Sequence, residues 1–190
     1  MLEVITGCMY SGKSEELIRR LRRCQIAGLR VLVLKSDLDN RYSERSLATH
    51  IGGRLPGVTC IPVKNTAEVR VHLAEHPEIQ VLGFDEVQFL DSEIIEVLEE
   101  AANRGIRVIA AGLDLDSTGR AFGPMAQILA LADTVTKLTA VCVAPLGEGK
   151  CGAPATRSYR ILPGDEEQVR VGSFGMYEAR CRRCWQGSHV

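Results

Sequence analysis

"LEVITGCMYSGKSEELIRRLRRC", residues 2–24, passes from an apolar run through a glycine-bounded loop into a helical pattern. Its centre, Gly7 to Ser14, fits G-x-x-x-x-G-K-[ST], and it has the required context of a strand before and an amphipathic helix after. Glycines let the backbone wrap closely around phosphate oxygens, so that amide N–H groups and a helix N-terminus face the charge. Gly7, Cys8, Met9, Tyr10, Ser11, Gly12, Lys13 and Ser14 are therefore the expected ATP-binding loop. Lys13 would bridge the β- and γ-phosphates, and the Ser14 hydroxyl would ligate Mg²⁺. The bland alternative is a glycine turn that merely opens a helix.

Outward from this loop, the first two thirds of the chain alternate strand-like and helix-like segments. Residues 2–6, 31–34, 58–63, 81–84, 107–112 and 134–141 are short runs rich in Val, Ile and Leu with little alternation, which suits a parallel sheet covered on both faces. Leu17, Leu21 and Cys24 recur at helical spacing within 14–27, and Ile94, Leu98 and Ala101 within 92–103. The fold class expected is α/β, a P-loop NTPase-like, mostly parallel sheet flanked by helices. Near residue 142 Gly, Pro, Cys and Arg become frequent and helical periodicity ends, so a small second domain is expected, with 1–138 binding nucleotide and 139–190 binding zinc.

Composition narrows the function classes. With 190 residues, 45% hydrophobic and 25% charged, the chain can bury a full core, and its net charge of -1 gives no general pull toward nucleic acid or anionic membrane. No secretory pattern follows Met1 and no apolar run approaches the ~20 residues of a membrane span, so a cytoplasmic protein is expected. Of seven cysteines, four lie from Cys142 onward, where thiolate metal ligation is the better reading than disulfides. Cys8, Cys24 and Cys60 read as reduced and structural. The run "RRLRRC" (19–24) reads as a solvated helix face or an oligomer contact.

"VLGFDEVQFLD", 81–91, ends an apolar run in two adjacent carboxylates. A P-loop needs a second carboxylate at the end of a neighbouring strand to hold Mg²⁺, and Asp85 has that place. Glu86, one residue beyond, would sit beside the γ-phosphate as a general base, a role worth roughly 10² to 10⁴ in rate. The acids alone do not decide whether the proton comes from water or from a substrate hydroxyl.

Further motifs bear on that choice. "DEVQF" (85–89), "DNRYS" (39–43), "GLDLDSTGRAFGP" (112–124), "KLTAVC" (137–142), "CGAPATRS" (151–158) and "VGSFGMYEARCRRC" (171–184), with the P-loop and first helix, occur in the order of one family. Over essentially its whole length the chain resembles the tetrameric, zinc-containing thymidine kinases of animals and bacteria. The resemblance implies ATP-dependent phosphorylation of the 5′-hydroxyl of thymidine, with Glu86 as the base, Asp85 serving Mg²⁺, and Gln88, next to Val87, beside the nucleotide. Met9, Phe89, Leu113 and Phe122 match positions lining the thymine pocket. Thr156, Tyr177 and the backbone of Val171, Gly172, Ser173 and Phe174 match a loop that closes over the base. Arg41 and Arg120 match arginines near the phosphates, and Asp39 assists the metal. A homotetramer and feedback inhibition by thymidine triphosphate are likewise implied. The sequence departs from the family pattern at Ser117, Ala121, Ser173, Gly175 and Met176, positions that bear on base recognition more than on chemistry.

Cys181 and Cys184 form a C-x-x-C zinc half-site. In the resembling family the other half is a second short C-x-x-C, whereas here Cys142 and Cys151 are separated by eight residues, "VAPLGEGK". Lengthening the loop from two to eight residues costs about 1.2 kcal/mol of closure entropy, against roughly 10 to 16 kcal/mol from a structural zinc, so a structural Zn²⁺ on all four cysteines is expected. Two rivals remain: a P-loop ATPase whose zinc ribbon binds nucleic acid, and a kinase for another deoxynucleoside. The arginines near the cysteines, Arg157, Arg160, Arg170, Arg180, Arg182 and Arg183, lack interleaved aromatics and argue against nucleic acid.

Overall fold

The computed structural model describes residues 1–37, 60–161 and 176–186. Six strands, β1 Leu2–Thr6, β2 Val31–Ser36, β3 Cys60–Val63, β4 Val81–Asp85, β5 Arg107–Gly112 and β6 Thr134–Lys137, form one sheet in the order β3-β2-β4-β5-β1-β6. Every pairing in it is parallel. All five residues of β1 and of β4 are buried, as expected where helices cover both faces and no side of the strand meets water.

The helices are α1 Lys13–Ile26, α2 Thr66–Glu75, α3 Ile94–Asn103 and α4 Met125–Leu131. On one face Ile5, Val33, Val81 and Ile109 pack with Leu17, Leu21 and Cys24 of α1. On the other, Val4, Leu34, Leu82, Phe84 and Val108 pack with Val69 of α2, Leu98 of α3 and Met125 and Ile128 of α4. The alternation of a strand thus divides its residues between two cores. α1 lies so close to β4 that a Cβ on Gly83 would stand 2.7 Å from a methyl of Leu21.

The strand expected over 134–141 is two elements. β6 stops at Lys137 after pairing with β1, and β7, Ala140–Val141, pairs antiparallel with β10, Pro154–Ala155, in a separate small sheet. A run of β-favouring Thr and Val residues hides this break because each half is satisfied by a different sheet. The strand expected from 58 begins at Cys60 among the described residues. The insertion between Cys142 and Cys151 closes as a hairpin of β8 Pro145–Leu146 on β9 Gly149–Lys150. β11 Arg157–Arg160 pairs with β12 Tyr177–Arg180, and a short helix α5, Arg182–Gln186, follows.

The arginine run is not uniformly solvated. Arg20 reaches across β1 to donate to the buried Glu3 carboxylate at 2.8 Å and to Thr136 Oγ1 at 2.8 Å, while Arg19 pairs with Glu16 on the exposed side. Arg107 holds the other Glu3 oxygen at 2.6 Å, so this buried acid is paired on both sides. Among the described residues no helix is long and apolar enough to cross a membrane.

Candidate active site

The C-terminal ends of β1, β4 and β5 converge on one crevice, the usual ligand position in an open α/β sheet. The Gly7–Ser14 loop leaves β1, and its backbone is special: Tyr10 has φ 64° and Gly12 φ 84°. Gly7 has no room for a side chain, since a Cβ there would stand 2.4 Å from the Leu138 carbonyl oxygen. Lys13 is buried and donates from Nζ to the Cys8 carbonyl at 3.0 Å, folding its ammonium back over the loop. Ser11 Oγ is buried without a hydrogen-bond partner. A polar cradle with an unsatisfied hydroxyl and a buried ammonium fits a bound anion such as phosphate.

β4 delivers the acids. Its strand is not the neighbour of β1, because β5 lies between them, yet Ser14 Oγ donates to Asp85 Oδ2 at 3.0 Å since α1 packs over β4. This hydroxyl and carboxylate are a hard-oxygen donor pair, and they could hold Mg²⁺. Burial foremost, and then the neighbouring Glu86 charge, raise Asp85 from the usual carboxylate range to about 7. Lys35 stands in register with Asp85 on β2, and its charge partly offsets that effect. Nothing in the sequence marks Lys35; parallel register alone brings it there.

The raised Asp85 value has a consequence for stability. An acid whose folded pKa lies above its unfolded one destabilises the fold at a pH above both, and the penalty fades as pH falls toward the unfolded value. In metal-free protein, Asp85→Asn is expected to raise the melting temperature at pH 8 and much less at pH 4. Equal melting temperatures at pH 8 would refute this.

Glu86 turns the chain out of β4 with φ 56°, a left-handed conformation uncommon for a residue with a side chain. That turn starts the 3-10 segment Val87–Phe89 and lifts the Glu86 carboxylate beside Asp85, whose Oδ1 accepts from the Glu86 N–H at 3.1 Å. The buried Gln88 donates from Nε2 to Glu86 Oε2, while its Oε1 accepts from the Leu113 N–H at 3.1 Å. Leu113 begins the segment after β5, where Leu115 bridges Ala121 in a short hairpin. Phe122, at its far end, meets Phe89 edge to face with centroids 5.4 Å apart.

The small domain closes against this site. Ser158 Oγ accepts from the Met9 N–H at 3.0 Å, Cys8 Sγ lies 3.3 Å from the Ala155 carbonyl, and Tyr10 Oη donates to the Tyr177 carbonyl at 3.2 Å. Thr156 joins β10 to β11 and donates its N–H to Arg180. Arg120 sits exposed on the turn of the hairpin, where Asp116 Oδ1 accepts its backbone N–H. Asp39, Arg41, Val171, Gly172, Ser173, Phe174 and Gly175 lie outside the described residues.

Cys142, Cys151, Cys181 and Cys184 bring their four sulfurs within 4.8 Å of one another. Tetrahedral thiolates at the Zn–S distance stand about 3.8 Å apart, and Cys151 and Cys181 are at 4.0 Å. The eight-residue insertion does not spoil this, because its hairpin returns Cys151 N–H to the Ala144 carbonyl at 2.9 Å. Bonding to the Cys184 backbone N–H pulls the Cys181 thiol down to about 7, and hydrogen bonding to Cys181 pushes Cys184 up to about 12. A proton shared among clustered thiols is what a thiophilic cation displaces.

The family model described as Thymidine kinase matches residues 1–185. The chain belongs to the thymidine kinase family. Phosphorylation of thymidine is thus the general activity, and the four-cysteine cluster agrees with the zinc-containing type. A thymidine kinase needs a phosphate cradle, a base and a flat apolar pocket, and the crevice places candidates for all three together. Residues that sequence reasoning passed over in this thymidine kinase are Lys35, Ser158 and Trp185. Lys35 carries no motif, Ser158 only ends the segment 151–158 without an assigned role, and a lone tryptophan after C-x-x-C reads as zinc-domain packing.

Proposed function

We propose that this protein transfers the γ-phosphate of ATP to the 5′-hydroxyl of thymidine, giving ADP and thymidine 5′-phosphate. The observation that carries the proposal is Gln88, whose single amide group ties the Glu86 carboxylate to the Leu113 N–H at the root of the apolar hairpin. A base oriented by the wall of the substrate pocket suits a proton taken from the substrate rather than from bulk water.

In this reading Gly7–Ser14 cradles the ATP phosphates, and Lys13 leaves the Cys8 carbonyl to meet the β- and γ-phosphates. Ser14 and Asp85 hold Mg²⁺, which would neutralise phosphate charge when bound. Thymine lies between Met9, Leu113 and the Phe89–Phe122 pair, so its sugar hydroxyl projects toward Glu86. Glu86 accepts the hydroxyl proton as the oxygen attacks the γ-phosphorus and ADP leaves. Thr156, Tyr177 and the Val171–Phe174 backbone close over the base, which keeps water from competing. Arg41 and Arg120 serve the phosphates and Asp39 the metal. Residues 1–138 form the nucleotide domain and 139–190 the zinc domain. The working form is a cytoplasmic homotetramer subject to feedback inhibition by thymidine triphosphate.

Labelled ATP with a panel of nucleosides tests the proposal. Thymidine is expected to be the preferred acceptor, with discrimination of about 10-fold or more against deoxynucleosides that lack its base edge. Phosphate release stimulated by DNA, with no phosphorylated nucleoside, would overturn it.

A further inference from the structure

We propose that Trp185 is a positioning residue for the nucleoside pocket, acting through the 115–121 hairpin; this rests on the assignment of that hairpin to thymidine binding. Trp185 follows the zinc half-site Cys181–Cys184 and is the chain's single tryptophan. Its half-buried side chain does not stay within the small domain. The indole lies on the turn Ser117–Arg120, so that a Cβ on Gly119 would stand 2.8 Å from the ring, and Nε1 donates to the Ser117 carbonyl at 3.3 Å. Trp185 N–H is itself fixed on the Cys181 carbonyl at 3.0 Å, one residue-pair within the cysteine cluster.

The hairpin also holds its own turn together. Asp116 Oδ1 accepts from Thr118 N–H at 2.8 Å, Thr118 Oγ1 at 2.7 Å and Arg120 N–H at 3.0 Å, which makes the turn rigid in itself. Its root is held by Gln88 on Leu113, and Phe122 N–H donates to the Asp114 carbonyl at 3.1 Å. Thr118 and Arg120 are exposed, and the indole packs on the turn between them. Leu113 and Phe122 lie where the two arms of the hairpin leave the sheet, so loosening the turn that joins the arms would loosen the order of the wall they form. Trp185 therefore transmits the order of the cysteine cluster to the base-binding wall, and the phosphate loop on the other side of the crevice is held separately by Ser158.

Full-length, zinc-replete Trp185→Ala is expected to raise the KM for thymidine about tenfold while the KM for ATP stays within about twofold. Trp185→Phe, which restores a ring over Gly119, is expected to recover most of the loss. Trp185→Leu keeps apolar bulk but neither the ring nor the Nε1 donor; it is expected to raise thymidine KM to an intermediate extent and decides the matter where Trp185→Ala fails to fold. Variants that keep one zinc per chain and show unchanged thymidine KM, or equal rises in both KM values, would overturn the proposal. Wild-type protein that phosphorylates no nucleoside would instead sink the kinase reading, an outcome visible before any variant is made.

Discussion

Glu86→Gln is expected to lower the rate of phosphoryl transfer to thymidine by roughly 10² to 10⁴ while leaving ATP affinity within a few-fold of wild type. The substitution keeps the shape and the acceptor oxygen toward Gln88 but removes the carboxylate that takes the proton. The left-handed backbone at Glu86 is retained, so the 3-10 turn and the contact from Gln88 to Leu113 remain. In the proposed reading ATP meets the Gly7–Ser14 loop and Lys13, none of which depends on the Glu86 charge. Stopped-flow or quench measurement of single turnovers, with nucleotide binding followed separately, provides the check. A parallel loss of ATP affinity and transfer would assign Glu86 to architecture rather than to the proton.

Stripping the metal is expected to unfold the C-terminal domain while the six-stranded sheet survives. Among the described residues, the buried core around the cysteines consists of Cys8, Ala140, Cys142, Ala144, Ala155 and Ala179, four alanines and two cysteines. Such small side chains bury little apolar surface, about 0.8 kcal/mol per buried methylene equivalent, whereas ordering each residue costs about 1 to 2 kcal/mol. A structural zinc supplies roughly 10 to 16 kcal/mol, so it dominates the balance. The sheet, by contrast, has two large cores of its own. Elemental analysis is expected to find one zinc per chain. After chelation, limited proteolysis is expected to cut beyond residue 139 with most helical circular dichroism retained. The loss should also weaken ATP binding, because the Ser158 bond to Met9 and the Tyr10 bond to Tyr177 go with it. Chelated protein with an unchanged digestion pattern would refute this, as would much less than one zinc in carefully prepared protein.

The three-layer α/β arrangement was legible because parallel strands covered on both faces need continuous apolar runs, and 2–6, 81–84 and 107–112 carry them. The special backbone of the loop after β1 was legible for a different reason: Gly7 has no room for a Cβ and Gly12 is left-handed, so the motif's glycines are nearly forced. The break between Lys137 and Ala140 was not, since β-favouring Thr and Val residues run through both halves and only the partner strand differs.

What the sequence by itself determined is local: a helix opened by a glycine-bounded loop, a strand ending in two acids, and a C-x-x-C pair, each set by residues within a dozen positions. Tertiary structure alone decided which distant groups meet. It inserted β5 between β1 and β4 yet joined Ser14 to Asp85, set Lys35 beside that acid, folded the long cysteine insertion into a hairpin, and laid Trp185 on Gly119. Such meetings depend on strand order and on packing between elements, which backbone periodicity does not encode, because one apolar face can satisfy its burial against many partners.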